Sequence, residues 1–158
     1  MDKVAVAILN YNGKKHLENF LPSVLKYSPK GTVWVIDNLS TDNSLEFLKT
    51  NYPEVNLVVL KENGGYSRGY NLGLAQIKAE YYVLLNSDVE VTANWTDAIV
   101  DMMDADSSIA AAQPKILDFK NKSKFEYAGA GGGFIDTLGY PFCRGRLFLT
   151  LEEDKGQF

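Results

Sequence analysis

In the first half of the chain, short unbroken apolar runs alternate with longer stretches that place an apolar residue every three or four positions. That alternation is how βαβ units around a largely parallel sheet show themselves in a sequence. Val4 to Leu9 is almost wholly apolar, as a strand covered on both faces must be, and it ends in the polar turn Asn10-Tyr11-Asn12-Gly13. A helix is predicted from about Lys15 to Lys26, with Leu17, Phe20, Leu21, Val24 and Leu25 on one stripe and Pro22 placed to kink or restart it. Thr32 to Ile36 reads as the second strand and delivers Asp37 to its carboxyl end. Asn43, followed three residues on by Glu46, has the form of a capping box for a helix to about Asn51, and Pro53 closes it.

Asn56 to Leu60 makes a third strand, Asn63-Gly64-Gly65 a turn, and Tyr66 to Lys78 a helix with Leu72, Leu74 and Ile77 inward. The fourth strand, Tyr81 to Leu85, presents Asn86-Ser87-Asp88 at its carboxyl end, where open parallel sheets keep their ligand crevices. Thr92 or Asn94 then caps a helix through Met103, and Ile109 to Gln113 reads as a fifth strand ended by Pro114. From Leu117 the periodicity fades, and the glycine-rich stretch Ala128 to Phe134 reads as a flexible or tightly turned loop.

Composition narrows the picture. At 158 residues and 46% apolar, the chain can bury one core, so a single α/β domain is expected over 1–158. A net charge of −4 argues against nucleic acid or anionic lipid as a general partner, so any phosphate must be met locally. Cys143 is the sole cysteine, which excludes an intrachain disulfide framework and makes a reducing cytoplasm the simplest compartment. No apolar run approaches the ~20 residues of a membrane helix, although a longer parent protein can still be membrane-associated.

The chemistry concentrates at strand ends. Asp37 and Asp88 should converge on one rim of the sheet, the first suited to accept hydrogen bonds from a base or ribose, the second suited to a hard divalent cation bridging phosphates. Each has a plainer alternative, since Asp37 equally suits capping the turn to Ser40 and Asp88 an ordinary Asx turn. His16 reads as a surface or capping residue; Arg144 and Arg146 could reach a phosphate, with a surface loop as the plainer setting. Neither a P-loop nor a dinucleotide-binding glycine pattern is present.

Four segments in this order, Val6 to Gly13, Val35 to Asp42, Glu62 to Gly73 and Leu84 to Asp88, resemble the family 2 glycosyltransferases of the GT-A fold, especially the rhamnosyltransferase-like branch. The resemblance implies an α/β, mostly parallel, Rossmann-like sheet flanked by helices. It also implies a nucleotide-sugar-binding core over 1–115 and, over 116–158, the start of an acceptor-side region that is C-terminally incomplete. It places Asn10 and Tyr11 in one wall of the nucleotide pocket, has Asp37 accept from the base, brings the Gly64-Gly65 turn and the helix after it close to the nucleotide, and has Asn71 hold the loop or touch the ligand. Arg68 is set near the diphosphate, with a solvated helix-surface arginine as the equal alternative; Asn86 and Ser87 stand beside the diphosphate, and Asp88 on Mg²⁺ or Mn²⁺. Asn86 stands where the fuller motif has a second carboxylate, so the cation should bind firmly only together with the diphosphate.

The implied reaction is inverting transfer of a sugar from a nucleotide-diphosphate donor, UDP or dTDP before GDP, to a hydroxyl of a saccharide or lipid-linked acceptor in cell-surface glycan synthesis. An acidic residue would deprotonate the acceptor. Since Asp37 and Asp88 are assigned to the donor, that base is expected beyond Phe158, and the acidic run Glu152-Glu153-Asp154 reads as solvated surface. Such a chain would bind donor, turn over poorly, and self-associate through uncovered apolar surface. A non-catalytic nucleotide-sugar-binding module is the alternative. A phospho-acceptor receiver domain lacks its acidic pair after the first strand, and a pyrophosphorylase lacks its glycine-rich basic loop there.

Overall fold

The computed structural model describes residues 2–126 and 131–157, in two compact units, Met1–Trp95 and Thr96–Phe158. This division by packing falls ahead of the division by role expected near residue 115. The first unit runs β1 (Asp2–Asn10), α1 (Lys14–Tyr27), β2 (Val33–Asp37), α2 (Ser44–Asn51), β3 (Asn56–Val59), α3 (Gly65–Leu74) and β4 (Ala79–Leu85). Its sheet has the order β3-β2-β1-β4 with every pairing parallel. The register sets Asn10 beside Asp37 and Ile8 beside Leu85, so β1 lies between the strands that carry the two carboxylates.

Alternation along β1 explains how both faces are covered. Val6 and Ile8 point to the side where Leu17, Leu21 and Val24 of α1 and Leu48 of α2 pack; Ala5 and Ala7 point to the side of Tyr70 and Ile77. Each fully buried Leu or Ile contributes roughly 1.5–3 kcal/mol, which makes the α1 stripe a principal anchor. On the opposite face the small alanines let α3 come close. Gly73 shows how close, because a Cβ there would sit 2.4 Å from Ile36 Cδ1. Tyr70 is buried in the same layer, its hydroxyl donating to Leu85 O at 3.1 Å and accepting from Leu9 N–H at 3.4 Å, and burial pushes its phenol up to about 12.

Several local expectations are corrected. α1 runs through Pro22 without restarting: the proline costs one backbone hydrogen bond, and the buried stripe on either side of it holds the helix together. The capping box at Asn43 does not form, since Asn43 makes no side-chain cap; Asp42 takes that duty through Ser44. α3 ends at Leu74, short of Lys78, and β4 begins earlier, at Ala79.

The second unit opens with α4 (Asp97–Ala105), which starts after Thr96 with no side-chain cap from Thr92, Asn94 or Thr96. No strand forms at Ile109–Gln113. Its Ala110-Ala111-Ala112 run has little side-chain area to bury and is exposed. The hairpins β5 (Gly133–Ile135) with β6 (Pro141–Cys143) and β7 (Arg146–Leu147) with β8 (Thr150–Leu151) are antiparallel. Gly133 and Phe134, read as loop from the sequence, thus belong to β5, while Ala128, Gly129 and Ala130 lie outside the described residues. Phe125 is buried, Cys143 is half-buried, and Ile135, Leu138, Phe148 and Leu149 are exposed. Among the described residues, no helix is long and apolar enough to cross a membrane.

Candidate functional site

Parallel strands end together, so the loops after β1, β2, β3 and β4 share one rim. Three of them are stitched to one another by short polar side chains. Asn10, at the end of β1, is buried and donates through Nδ2 to Asp37 Oδ1 at 3.2 Å and Ser40 Oγ at 3.1 Å. Asp37 is 1% exposed, and its Oδ2 accepts the Ser40 N–H at 3.0 Å. The capping alternative for Asp37 is therefore realised, and the same contacts fix the carboxylate at the strand end.

Asn12 ties the first loop to the second. Its backbone is left-handed, with φ +52°, a conformation asparagine tolerates, and its Oδ1 accepts from Thr41 N at 2.7 Å and Asp42 N at 3.1 Å. Asp42 returns the contact by accepting the Lys14 N–H at 3.2 Å, and it caps α2 through the Ser44 N–H and hydroxyl. Burial pushes the Asp42 carboxyl up, but the hydrogen bonds from Ser44 and Lys14 outweigh it and hold the group below the usual carboxylate range.

Asn38 ties the second loop to the third. It is 2% exposed, donates to Asn63 Oδ1 and Gly65 O at 3.0 Å each, and accepts the Gly64 N–H at 3.0 Å. Gly65 opens α3 at φ +66°, the region that glycine enters without steric cost. Leu39, between the anchored Asn38 and Ser40, is forced to φ +63° and stays 46% exposed. An exposed apolar residue held in a strained backbone on this rim was not singled out by the sequence reading; the only signal for it was a leucine inside an otherwise polar turn.

The sequence-predicted residues divide accordingly. Asn10, Asp37 and Gly65 belong to the stitched rim, with Tyr11 exposed beside it. Arg68 is paired with Glu62, its Nε 2.9 Å from Oε1, and is exposed. Asn71 is exposed on α3, and its side chain holds no loop among the described residues. After β4, Asn86 Oδ1 accepts from the Tyr66 hydroxyl at 3.4 Å, Ser87 is half-buried, and Asp88 is exposed with no hydrogen bond to protein among the described residues. Asp37, at the end of β2, and Asp88, in the loop after β4, thus stand at the same end of the sheet on either side of β1, one buried and one open. Elsewhere, His16 is exposed, Arg144 Nε donates to Gly131 O at 2.8 Å within its own hairpin, and Asp154 is bound to Lys115 at 2.7 Å.

A family model described as glycosyl transferase family 2 matches residues 5–147. The chain belongs to glycosyl transferase family 2. Among family relatives, the N-acetylglucosaminyl-diphospho-decaprenol L-rhamnosyltransferase of Mycobacterium tuberculosis is 28% identical over 129 residues, covering 74% of this chain and 42% of that protein. The chain spans less than half the length of the curated relatives it matches. Residues 1–349 of S. aureus TarS superpose with a TM-score of 0.55 at 28% identity, over 65% of this chain and 32% of that one; the same portion is also solved in complex with UDP-GlcNAc. The mannosyltransferase PcManGT from Pyrobaculum calidifontis, solved with GDP-Man and Mn²⁺, shares the fold at a TM-score of 0.52 and 21% identity, covering 72% of this chain and 34% of that one. The parallel, helix-flanked sheet is that of the GT-A glycosyltransferases.

Within this family 2 rim, the donor set available to a cation is small. No group of three His, Cys, Asp or Glu side chains is gathered among the described residues, and the loop after β4 offers the Asp88 carboxylate and the Asn86 carbonyl, with the Glu90 carboxylate further along it. That set fits Mg²⁺ or Mn²⁺, which keep several waters and take the rest of their ligands from phosphate oxygens.

Proposed function

We propose that the chain is the donor-nucleotide-binding part of a glycosyltransferase that moves a sugar, with inversion, from a nucleotide-diphosphate donor to an acceptor hydroxyl in cell-surface polysaccharide synthesis. One observation carries this reading: a preformed acceptor, Asp37, and an open carboxylate, Asp88, stand at one end of a family 2 sheet with β1 between them. Asn10 and Ser40 orient Asp37 toward the base, Tyr11 packs beside it, and Gly65 lets the α3 backbone approach. Asp88, with Asn86 and Ser87, receives the diphosphate and its Mg²⁺ or Mn²⁺. The cation, when bound, neutralises charge on the departing nucleoside diphosphate. Arg68 joins that side by exchanging Glu62 for phosphate, which an exposed pair can do at small cost.

Deprotonating the acceptor is a separate task, and neither Asp37 nor Asp88 is free for it. The base therefore comes from an acceptor-side residue outside this rim. UDP and dTDP sugars are the favoured donors; the UDP-GlcNAc complex of TarS supports a uridine nucleotide, and the GDP-Man and Mn²⁺ complex of PcManGT supports divalent metal use within the fold. The rhamnosyltransferase relative supports a lipid-linked saccharide as acceptor. The exposed apolar residues of the second unit would favour self-association, which sedimentation reads directly.

A thermal-shift panel of UDP, dTDP and GDP, each with and without Mn²⁺, tests the reading, because a ligand bound only by the native state raises Tm. At least one diphosphate should raise Tm, and more so with Mn²⁺. No shift with any of the three would sink it.

A further inference from the structure

At the carboxyl ends of β1 and β4, one buried polar group is left incomplete. Asn10 is 0% exposed and its Nδ2 is engaged by Asp37 and Ser40, yet its Oδ1 is sealed from solvent without a hydrogen-bond donor. Leaving such an acceptor unmet costs about 1–3 kcal/mol. Turning the amide over gives no relief, because it would set the carbonyl oxygen against the Asp37 carboxylate.

The surroundings point to what completes it. A Cβ on Gly13 would lie 2.5 Å from Asn10 Oδ1 and 3.7 Å from Ser87 Oγ. Both oxygens therefore border the same small gap, which is open because residue 13 has no side chain. The sheet register agrees: Asn10 pairs with Asp37 on one side, and continuing the Ile8 to Leu85 pairing by two steps sets Ser87 against Asn10 on the other. Ser87 is half-buried, and its hydroxyl makes no hydrogen bond to protein among the described residues.

We propose that Ser87 and Asn10 are a pair of positioning residues whose hydrogen bond forms when donor binds: the Ser87 hydroxyl donates to Asn10 Oδ1 and links the diphosphate side of the rim to the Asp37 side. The pairing rests on the functional reading above, in which diphosphate and cation settle on Asn86-Ser87-Asp88. Asn10 then reaches the nucleoside carboxylate through Nδ2 and the diphosphate loop through Oδ1. Its consequence is thermodynamic. Cation and nucleotide strengthen each other by the same factor, and part of that factor passes through residue 87.

The experiment is calorimetric titration of UDP, dTDP and GDP with and without Mg²⁺, carrying the tightest binder into Ser87→Ala and Ser87→Thr. In the unmutated chain Mg²⁺ should tighten binding by about tenfold. Ser87→Ala should cut that enhancement to under about threefold while leaving the Tm of the free chain unchanged, and Ser87→Thr, which keeps the hydroxyl, should restore it. The Asn10 side-chain amide resonances should move on adding nucleotide with Mg²⁺ in the unmutated and Thr forms, and stay in place in the Ala form. Full enhancement in Ser87→Ala, or loss in both variants alike, overturns the pairing. Absence of any diphosphate binding, or of any Mg²⁺ effect in the unmutated chain, overturns the functional reading itself and takes the pairing with it.

Discussion

The loops after β1, β2 and β3 hold one another through Asn10, Asn12, Asn38 and Asp42, whereas the loop after β4 meets α3 through a long contact from Tyr66 to Asn86 and α1 through the Val91 N–H to Ser23 Oγ. Both regions lie on the same rim of the same sheet. The first has its hydrogen bonds made within the fold, so under the proposed function a nucleoside would meet an Asp37 already fixed in place, with little ordering left to oppose binding. In the second, Asp88 is exposed with no hydrogen bond to protein among the described residues, so under the proposed function its geometry is completed by the diphosphate and cation. Under the proposed function the rim is thus fixed on the side given to the base and open on the side given to phosphate and metal.

The largest contrast should come from paired substitutions. Asn38→Ala removes three hydrogen bonds from a buried amide and should lower stability by about 2–3 kcal/mol in urea denaturation. Asp88→Asn should stay within about 0.5 kcal/mol of the unmutated chain, since nothing in the fold depends on that carboxylate. Equal losses would erase the distinction between the two regions.

Gly73→Ala sharpens it from below the rim. The new methyl must displace the buried side chain of Ile36, and overpacking of this kind costs about 1–3 kcal/mol. Thermal unfolding should register it as a lower Tm, and an unchanged Tm would mean α3 is free to back away.

Acid should loosen the stitched side first. Asp42 sits below the ordinary carboxylate value when folded, so its stabilisation is whole above the unfolded value of about 3.9 and is lost as pH falls through that value toward the lower folded one. Asp42→Asn should flatten that part of the stability profile between about pH 5 and 3; a profile identical to the unmutated chain would contradict the role given to Asp42. The smallest effect belongs to Leu39→Asn. Asparagine accepts the left-handed backbone more readily, so stability should rise by under about 1 kcal/mol, and a loss would show that the leucine side chain contributes more than its strain costs.

The sheet was legible because its strands are long apolar runs and its helices carry a clear stripe: Val4 to Leu9 can hardly be anything but a covered strand. The fifth strand was misread because Ala110 to Ala112 is apolar in kind yet too small to drive burial. Asp37 and Asp88 were legible as strand-end acids. The stitching was not, since Asn12 and Asn38 look like ordinary turn formers, and their partners lie 25 to 30 positions away in loops whose meeting depends on the whole topology. The unmet Oδ1 of Asn10 is invisible to any pattern of residue types, because it depends on the rotamer that Asp37 and Ser40 impose.

The most direct test of the contrast is to titrate Mn²⁺ into the chain twice, once alone and once with saturating UDP or whichever diphosphate binds best. With Asp88 as the cation's carboxylate ligand, binding should be weak alone and tighter by about tenfold or more once the phosphates supply ligands. Equally tight binding in the two titrations would mean that the loop after β4 is already a finished metal site, and the contrast between the two sides of the rim would be gone.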